Sequence, residues 1–240
     1  MTIFMKDIAL KYLNQNHSLH VGMIHPIVRG TAELFYGGDD GVFLREIESD
    51  VFMLSMVNQE RGKEFLRDAG EQELFCVYQE YLARYLVNKY NYVKEMTCFQ
   101  AIYNKKEYLP RKIADLEIKA LDLSYAEKVY QHYSAHVDLD YLKRRLLAGV
   151  MYGGFVAGEL CGFVGTHEEG GIGLLEVFEK YRMRGYGAEL ESHLINLLLD
   201  HGEIPYAQIM EGNVASYVLH EKLGFDITRE KLYWLKKRAI

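Results

Sequence analysis

The sequence predicts an α/β chain, a mixed sheet flanked by helices, on three observations. Residues 176–190 pass from an apolar strand, through a basic turn bearing Gly185 and Gly187, into an amphipathic helix. Residues 213–225 follow a second apolar strand and have helical spacing, ending in Gly224-Phe225. Strand-like alternation and helix-like periodicity also change places along the whole chain.

In order, the first half reads as strands over 31–36, 41–47 and 51–57, a helix over 58–68, a strand over 73–78, a helix over 82–89 and a strand over 98–103. The polar stretch 104–112, which holds Pro110, is the best linker and divides the chain into 1–110 and 111–240. The second half begins with a strand over 116–121. A helix over 123–133 follows, with Asp122 or Ser124 near its start, and then a helix over 139–149 with Leu142, Leu146 and Leu147 on one face. Strands over 152–156 and 160–166 are joined by the turn Ala157-Gly158-Glu159, and a central strand covers 171–177. The helix over 186–200 turns Leu190, Leu194, Leu197 and Leu198 toward the sheet. A strand over 206–210, the helix after Asn213 and a strand over 226–236, expected to close this sheet, complete the chain.

The 240 residues, 49% hydrophobic, suffice for one large or two small cores. A net charge of −6 and the lack of a dense basic stretch argue against a nucleic-acid partner. Cys76, Cys98 and Cys161 are scattered, with no Cys-x-x-Cys pair, so neither a metal site nor a disulfide framework is expected. No run approaches the roughly 18 apolar residues of a membrane span, and residues 1–17 lack the apolar core of a signal peptide. A soluble, cytoplasmic chain with no membrane partner is the expectation.

The turn before residue 186 has the makings of a phosphate site. A helix start carries N–H groups without intrahelical acceptors, together with the positive end of the helix dipole. Glycines at 185 and 187 let an oxygen-rich ligand approach the backbone, and Arg182 and Arg184 add charge. The pattern is neither the dinucleotide fingerprint nor the P-loop. Arg182-x-x-Gly185-x-Gly187 resembles the acyl-CoA signature of the GNAT acetyltransferase superfamily. Asn213-x-x-Ser216-x-x-Leu219-His220-x-x-x-Gly224-Phe225 resembles the second pattern of that family. The order of strands and helices from 116 onward is also the GNAT order.

The resemblance implies an acetyl-CoA-dependent N-acetyltransferase in which a primary amine, a small molecule or amino acid, attacks the thioester directly. It places the oxyanion on the Val177 N–H and the diphosphate on the main-chain amides of Met183, Arg184, Gly185, Tyr186, Gly187 and Ala188, with Arg182 helping to form the turn and the phosphate site. Asn213 and Ser216 would face the pantetheine arm. His220 stands where many members carry a tyrosine that protonates the thiolate, a task an imidazole can perform near neutrality. The glutamate that members often use as base falls here on Gly171. Glu168, Glu169 and His167 lie just before it, whereas simple alternation sends Glu176 to the opposite face from Gly171 and Gly173. Tyr130, Tyr133, His136 and Tyr141 are candidates for an acceptor pocket. The mechanism calls for no metal.

The first half looks like a partial copy of the second. Lys89-Tyr90-Asn91-Tyr92 falls on Lys222-Leu223-Gly224-Phe225 at an offset of 222 − 89 = 133. Its strand–helix junction, 57–63, carries only Gly62. A smaller, degenerate GNAT-like lobe that packs, forms a homodimer or shapes the acceptor site is therefore expected before the working one. This arrangement resembles the glycine N-acyltransferase-like branch.

Overall fold

The computed structural model describes residues 3–135 and 137–238, with the backbone alone for Ile3. His136 therefore lies outside the described residues. In chain order the elements are α1 (Ile3–Leu13), α2 (His17–Arg29), β1 (Ala32–Gly38), β2 (Gly41–Glu46), β3 (Val51–Met56), α3 (Gln59–Asp68), β4 (Leu74–Val77), α4 (Glu80–Tyr90) and β5 (Tyr92–Ile102). They continue as β6 (Glu117–Ala120), α5 (Ala126–His132), α6 (Leu139–Leu147), β7 (Met151–Val156), β8 (Glu159–Thr166), β9 (Ile172–Val177), α7 (Tyr186–Asp200), β10 (Tyr206–Met210), α8 (Val214–Leu223) and β11 (Asp226–Lys237). The mixed α/β class expected from the sequence holds.

Two compact units share these elements. The first runs to Ile102 and adds Gln208–Tyr217 and everything from Asp226; the second comprises Tyr103–Ala207 and Val218–Phe225. In the first unit the strands lie in the order β1-β2-β3-β4-β11-β5. All neighbours are antiparallel except β3 and β4, which pair in parallel at Phe52–Phe75, Met53–Cys76 and Leu54–Val77. Strand β11 thus inserts between β4 and β5 and completes the first unit's sheet, where the sequence alone had it closing the sheet of the second half. One apolar cluster joins α1 and α2 residues such as Leu13, Met23 and Ile27 to Leu44, Met53 and Trp234. Another joins Leu66, Leu82 and Leu86 to Leu54, Phe75 and Leu235. Burying each such side chain contributes roughly 1.5–3 kcal/mol.

The second unit carries an antiparallel β6-β7-β8-β9 sheet around Leu142, Leu146, Phe163, Leu174 and Phe178. The parallel pairing of β9 with β10 is one register pair, Ile172 with Ala207. Helices α1 and α2 were not anticipated. The Asn16 side chain caps α2 by accepting the Leu19 N–H, and Gly30, at φ +81°, ends it.

The internal copy extends to register. The order α-α-β-β-β-α-β-α-β of α1 to β5 recurs from α5 to β11. Gly41 pairs with Met56 as Gly162 pairs with Val177 (162 − 41 = 177 − 56 = 121). The Val57 N–H donates to Asp40 O and the Phe178 N–H to Cys161 O, both at 2.9 Å. A side chain on Gly41 would strike Ser55 O at 2.6 Å, and one on Gly162 would strike Glu176 O at 2.5 Å. Asn91 and Gly224, which coincide at the offset of 133, both take the left-handed conformation that ends α4 and α8.

Candidate active site

Between β9 and α7 the chain makes a short 3-10 turn over Glu179–Tyr181 and then climbs through Arg182, Met183 and Arg184 to Gly185. Three features shape this turn. Arg182 reaches back, its Nε donating to Val177 O at 2.9 Å and its Nη2 to Glu176 Oε1 at 3.1 Å, so the turn is tied to the strand it leaves. Met183 is held at φ +62° with its side chain fully exposed. Gly185 occupies the cap position at φ +84°, a conformation natural to glycine, and brings no side chain to the first turn of α7. The α7 ladder begins with the Glu189 N–H on Gly185 O at 3.1 Å, so the earlier amides have no acceptor in the helix. Arg184 lies over the Tyr181 ring at 5.8 Å, and Lys180 donates to Glu159 at 2.8 Å.

Gly187 differs from Gly185. Its φ is ordinary, and a Cβ there would meet Val177 Cγ2 at 3.6 Å, a normal contact. Nothing in the surrounding protein requires a glycine in this helical turn, where glycine costs about 1 kcal/mol relative to alanine. A glycine there leaves the main chain of the first helical turn open to close approach.

Strand β9 carries a bulge. Phe163 pairs with Glu176 and Gly165 with Gly173, so three steps along β9 match two along β8. Leu174, buried at φ +49°, is the residue that absorbs the extra step. The bulge changes the parity of the strand. Phe163 and Gly165 share a face of β8, so their partners Glu176 and Gly173 share that face too. The expectation that Glu176 lies opposite Gly173 is thereby corrected. Glu176 is buried; its Oε2 accepts the Ser134 N–H at 3.2 Å and its Oε1 accepts Arg182. Since the Phe178 N–H points to β8, the Val177 N–H and C=O point away from it. The Val177 C=O meets Arg182.

The hairpin between β8 and β9 holds the other acid–base candidates. Glu168 accepts Arg144 Nε at 3.1 Å and is largely buried; the Glu169 C=O accepts the Tyr206 hydroxyl at 2.6 Å. The His167 ring packs onto Gly173, where a side chain on that glycine would stand, and its Nδ1 is 2.5 Å from Tyr141 Oη. Burial, with Arg145 nearby, pushes this imidazole down to about 4, and burial pushes the Tyr141 hydroxyl up. Tyr141 and a neutral imidazole therefore share one hydrogen bond. Tyr133, whose hydroxyl burial raises to about 12, stands beside Leu174.

His220 does not present itself to solvent. It is buried on α8 with Nε2 2.8 Å from Glu191 Oε1 of α7 and its ring edge-on to Phe225. Asn213 and Ser216 belong to the first unit, where Asn213 Oδ1 accepts the Ser216 N–H at 3.1 Å and caps α8. The structure thus gathers Val177, the 182–188 main chain and the hairpin candidates in one unit, and gives His220 a buried partner. Glu176 was the residue that alternation misplaced. The linker is fastened to the same helix: the Glu189 carboxylate, in the first turn of α7, accepts the Lys112 N–H at 2.9 Å. Among the described residues no cluster of His, Cys, Asp or Glu is arranged to hold a metal ion, and no helix is long and apolar enough to cross a membrane.

Comparison with known proteins places this architecture. Residues 149–235, which contain β9, the turn and α7, match the model of the FR47-like protein family. A Drosophila protein of known structure superimposes with a TM-score of 0.66 at 16% identity, covering 82% of this chain and 74% of that one. A GNAT-family acetyltransferase from Novosphingobium aromaticivorans gives 0.57 at 14% identity, covering 97% of both chains. A GCN5-related N-acetyltransferase from Kribbella flavida gives 0.59 at 11% identity, covering 97% of this chain and 96% of that one. A comparison with curated protein sequences gives no match. The chain has the GNAT fold over nearly its whole length.

Proposed function

We propose that the second unit is an N-acetyltransferase that moves an acetyl group from acetyl-CoA to a primary amine, on a small molecule or an amino acid, by direct attack. The observation that carries the reading is the turn from Arg182 to Ala188: an uncapped helix start with glycine at 187, where the protein itself has no use for one. Main-chain amides from Met183 to Ala188 would hold the diphosphate, each charge-assisted bond contributing roughly 1.5–3 kcal/mol. The Val177 N–H, directed away from β8, would meet the thioester oxygen as charge develops on it, a placement worth a few kcal/mol in the transition state. Holding both reactants side by side supplies much of the remaining acceleration. No step requires a metal. The free, buried thiols of Cys98 and Cys161, raised by burial to about 12 and about 11, suit a reducing cytoplasm.

A second reading, a protein that binds coenzyme A without turnover, is favoured by the buried position of His220 and the engaged carboxylate of Glu168. Thermal shift with coenzyme A and thiol release from acetyl-CoA over a panel of primary amines separate the two. The acetyltransferase reading expects a shift in the parent chain, its loss in the Arg182→Glu/Gly185→Val double variant, and thiol release with at least one amine. A shift without release on any amine would favour the second reading; no shift at all would remove both.

A further inference from the structure

The first unit carries, inside its own fold, an image of the reaction product. Gln79, just before α4, lays its carboxamide along the end of β3. Its Oε1 accepts the Met56 N–H at 2.9 Å and its Nε2 donates to Ser55 Oγ at 3.0 Å. A carboxamide is the functional group that N-acylation makes. Met56 and Ser55 are the counterparts, in strand register, of Val177 and Glu176: Gly41–Met56 answers Gly162–Val177, and Val42–Ser55 answers Phe163–Glu176. The two strand ends also face equivalent elements. Ser55 meets Tyr12 of α1 and His20 of α2, while Glu176 meets Ser134, between α5 and α6.

Resting on the acetyl-transfer reading, we infer that Glu176 is the residue that faces the attacking amine and takes its proton. Transferred to the second unit, the oxygen of the Gln79 carboxamide marks where the thioester oxygen lies on the Val177 N–H, and its nitrogen marks where the amine lies against Glu176. The amine nitrogen bonds to the acetyl carbon, and the carbon–sulfur bond breaks with its electron pair on sulfur. Coenzyme A leaves as the thiolate, and the nitrogen's proton passes to a Glu176 carboxylate oxygen. Ser134 and Arg182 leave that carboxylate with lone pairs to spare, since two oxygens offer about four acceptor sites. They also fix its direction, as a base positioned on a rigid strand requires.

The probe is carbamoylmethyl-CoA, made from coenzyme A and iodoacetamide, which carries the same carboxamide as Gln79 on the coenzyme sulfur. By calorimetry the parent chain should bind it about tenfold more tightly than coenzyme A, roughly the 1.4 kcal/mol of a well-placed hydrogen bond. Glu176→Leu should abolish that advantage; because Glu176 also holds Arg182, coenzyme A binding itself is free to weaken, and the ratio of the two affinities is what is read. In a crystal of the parent with the probe, the carboxamide oxygen should lie on the Val177 N–H and its nitrogen on Glu176. If both ligands bind but the variant keeps the advantage, or loses both affinities alike, the role given to Glu176 is wrong while acyl-CoA binding stands. If neither ligand binds the parent, the acetyl-transfer reading itself falls. Should Glu176→Leu not fold, the crystal decides: a carboxamide nitrogen placed on His167 or Glu168 overturns the inference.

Discussion

Met56 and Val177 hold the same place in two copies of one strand register, and the chain treats them in opposite ways. Around Met56 everything is closed. Its N–H is taken by Gln79 and its C=O by the Tyr81 hydroxyl at 2.6 Å. Next to it, Ser55 is saturated: it donates to His20 Nε2 at 2.9 Å and accepts from Tyr12 and Gln79. The neighbouring strand β4 stays paired through three residues, and the Asn58 side chain caps α3 by accepting the Arg61 N–H. Around Val177 each of these closures is missing or altered. A glutamate replaces the serine, β9 keeps one register pair with β10, and α7 starts on glycine after eight connecting residues, 178–185, instead of the two, 57 and 58, before α3. In the first unit, side chains thus satisfy backbone groups that the second unit treats otherwise, with no change of fold, since polar side chains alone can pair such groups.

The largest effect expected from breaking this comparison lies at His220, whose counterpart in the first half, 133 residues earlier, is Val87. The second unit has a buried His–Glu pair where the first has an aliphatic residue. His220→Phe leaves the Glu191 carboxylate buried without that partner and should lower unfolding free energy by about 3–5 kcal/mol. The double variant with Glu191→Met should recover most of it, as denaturant titration would show. If His220→Phe instead keeps its stability but slows turnover at saturating substrate, the imidazole acts in the chemistry as the thiolate's acid.

Acid sharpens the contrast next. His20, at the centre of the closed cluster, is pushed down to about 4, chiefly by burial, from the 6.5 of a free imidazole. The unfolded chain binds this proton first, so stability rises with pH in that interval: it is full above about 6.5 and lost progressively down to about 4. The loss for this residue is on the order of 3 kcal/mol. His20→Gln should flatten that part of the stability–pH curve; a curve unchanged by the substitution would mean that other groups govern acid unfolding.

How much of this was legible in the sequence follows from the range of the interactions. The turn at 182–188 and the Gly224-Phe225 helix end are local, set by glycines and charges within a few residues, and the structure has them where the sequence put them. The bulge was not legible, because Leu174 is an ordinary leucine forced into the left-handed region by its surroundings. Glu176 was misplaced as a result. Nor could alternation reveal that β11 pairs with β4 and β5, since its partners lie more than a hundred residues upstream. Helices α1 and α2 were missed for a similar reason. Buried residues line nearly the whole length of α2, and Pro26 sits inside it, so its sequence lacks a clean amphipathic signal.

Gln79→Ala tests whether the plug alone separates the two units. The Met56 N–H would be left buried and unpaired, at a cost of about 1–3 kcal/mol in stability. Coenzyme A stoichiometry should nevertheless stay at one per chain, because Asn58 still caps α3 and the connecting turn remains too short to cup a diphosphate. A second equivalent bound in calorimetry would show that a single glutamine keeps the first unit inactive.

The smallest change, Gly187→Ala, carries the sharpest sign. In the folded chain the new methyl meets Val177 Cγ2 at an ordinary distance and the backbone needs no adjustment. Alanine in a helical turn should therefore raise stability by as much as about 1 kcal/mol. If the first turn of α7 holds the diphosphate as proposed, the same methyl crowds it, and affinity for coenzyme A should fall about tenfold or more. Stability and binding moving in opposite directions is what a glycine kept for a ligand requires, since a glycine kept for the fold would lose both together. Thermal melts with and without coenzyme A read both quantities from one preparation. A variant that melts higher and still binds coenzyme A at full strength would put the diphosphate somewhere other than this turn.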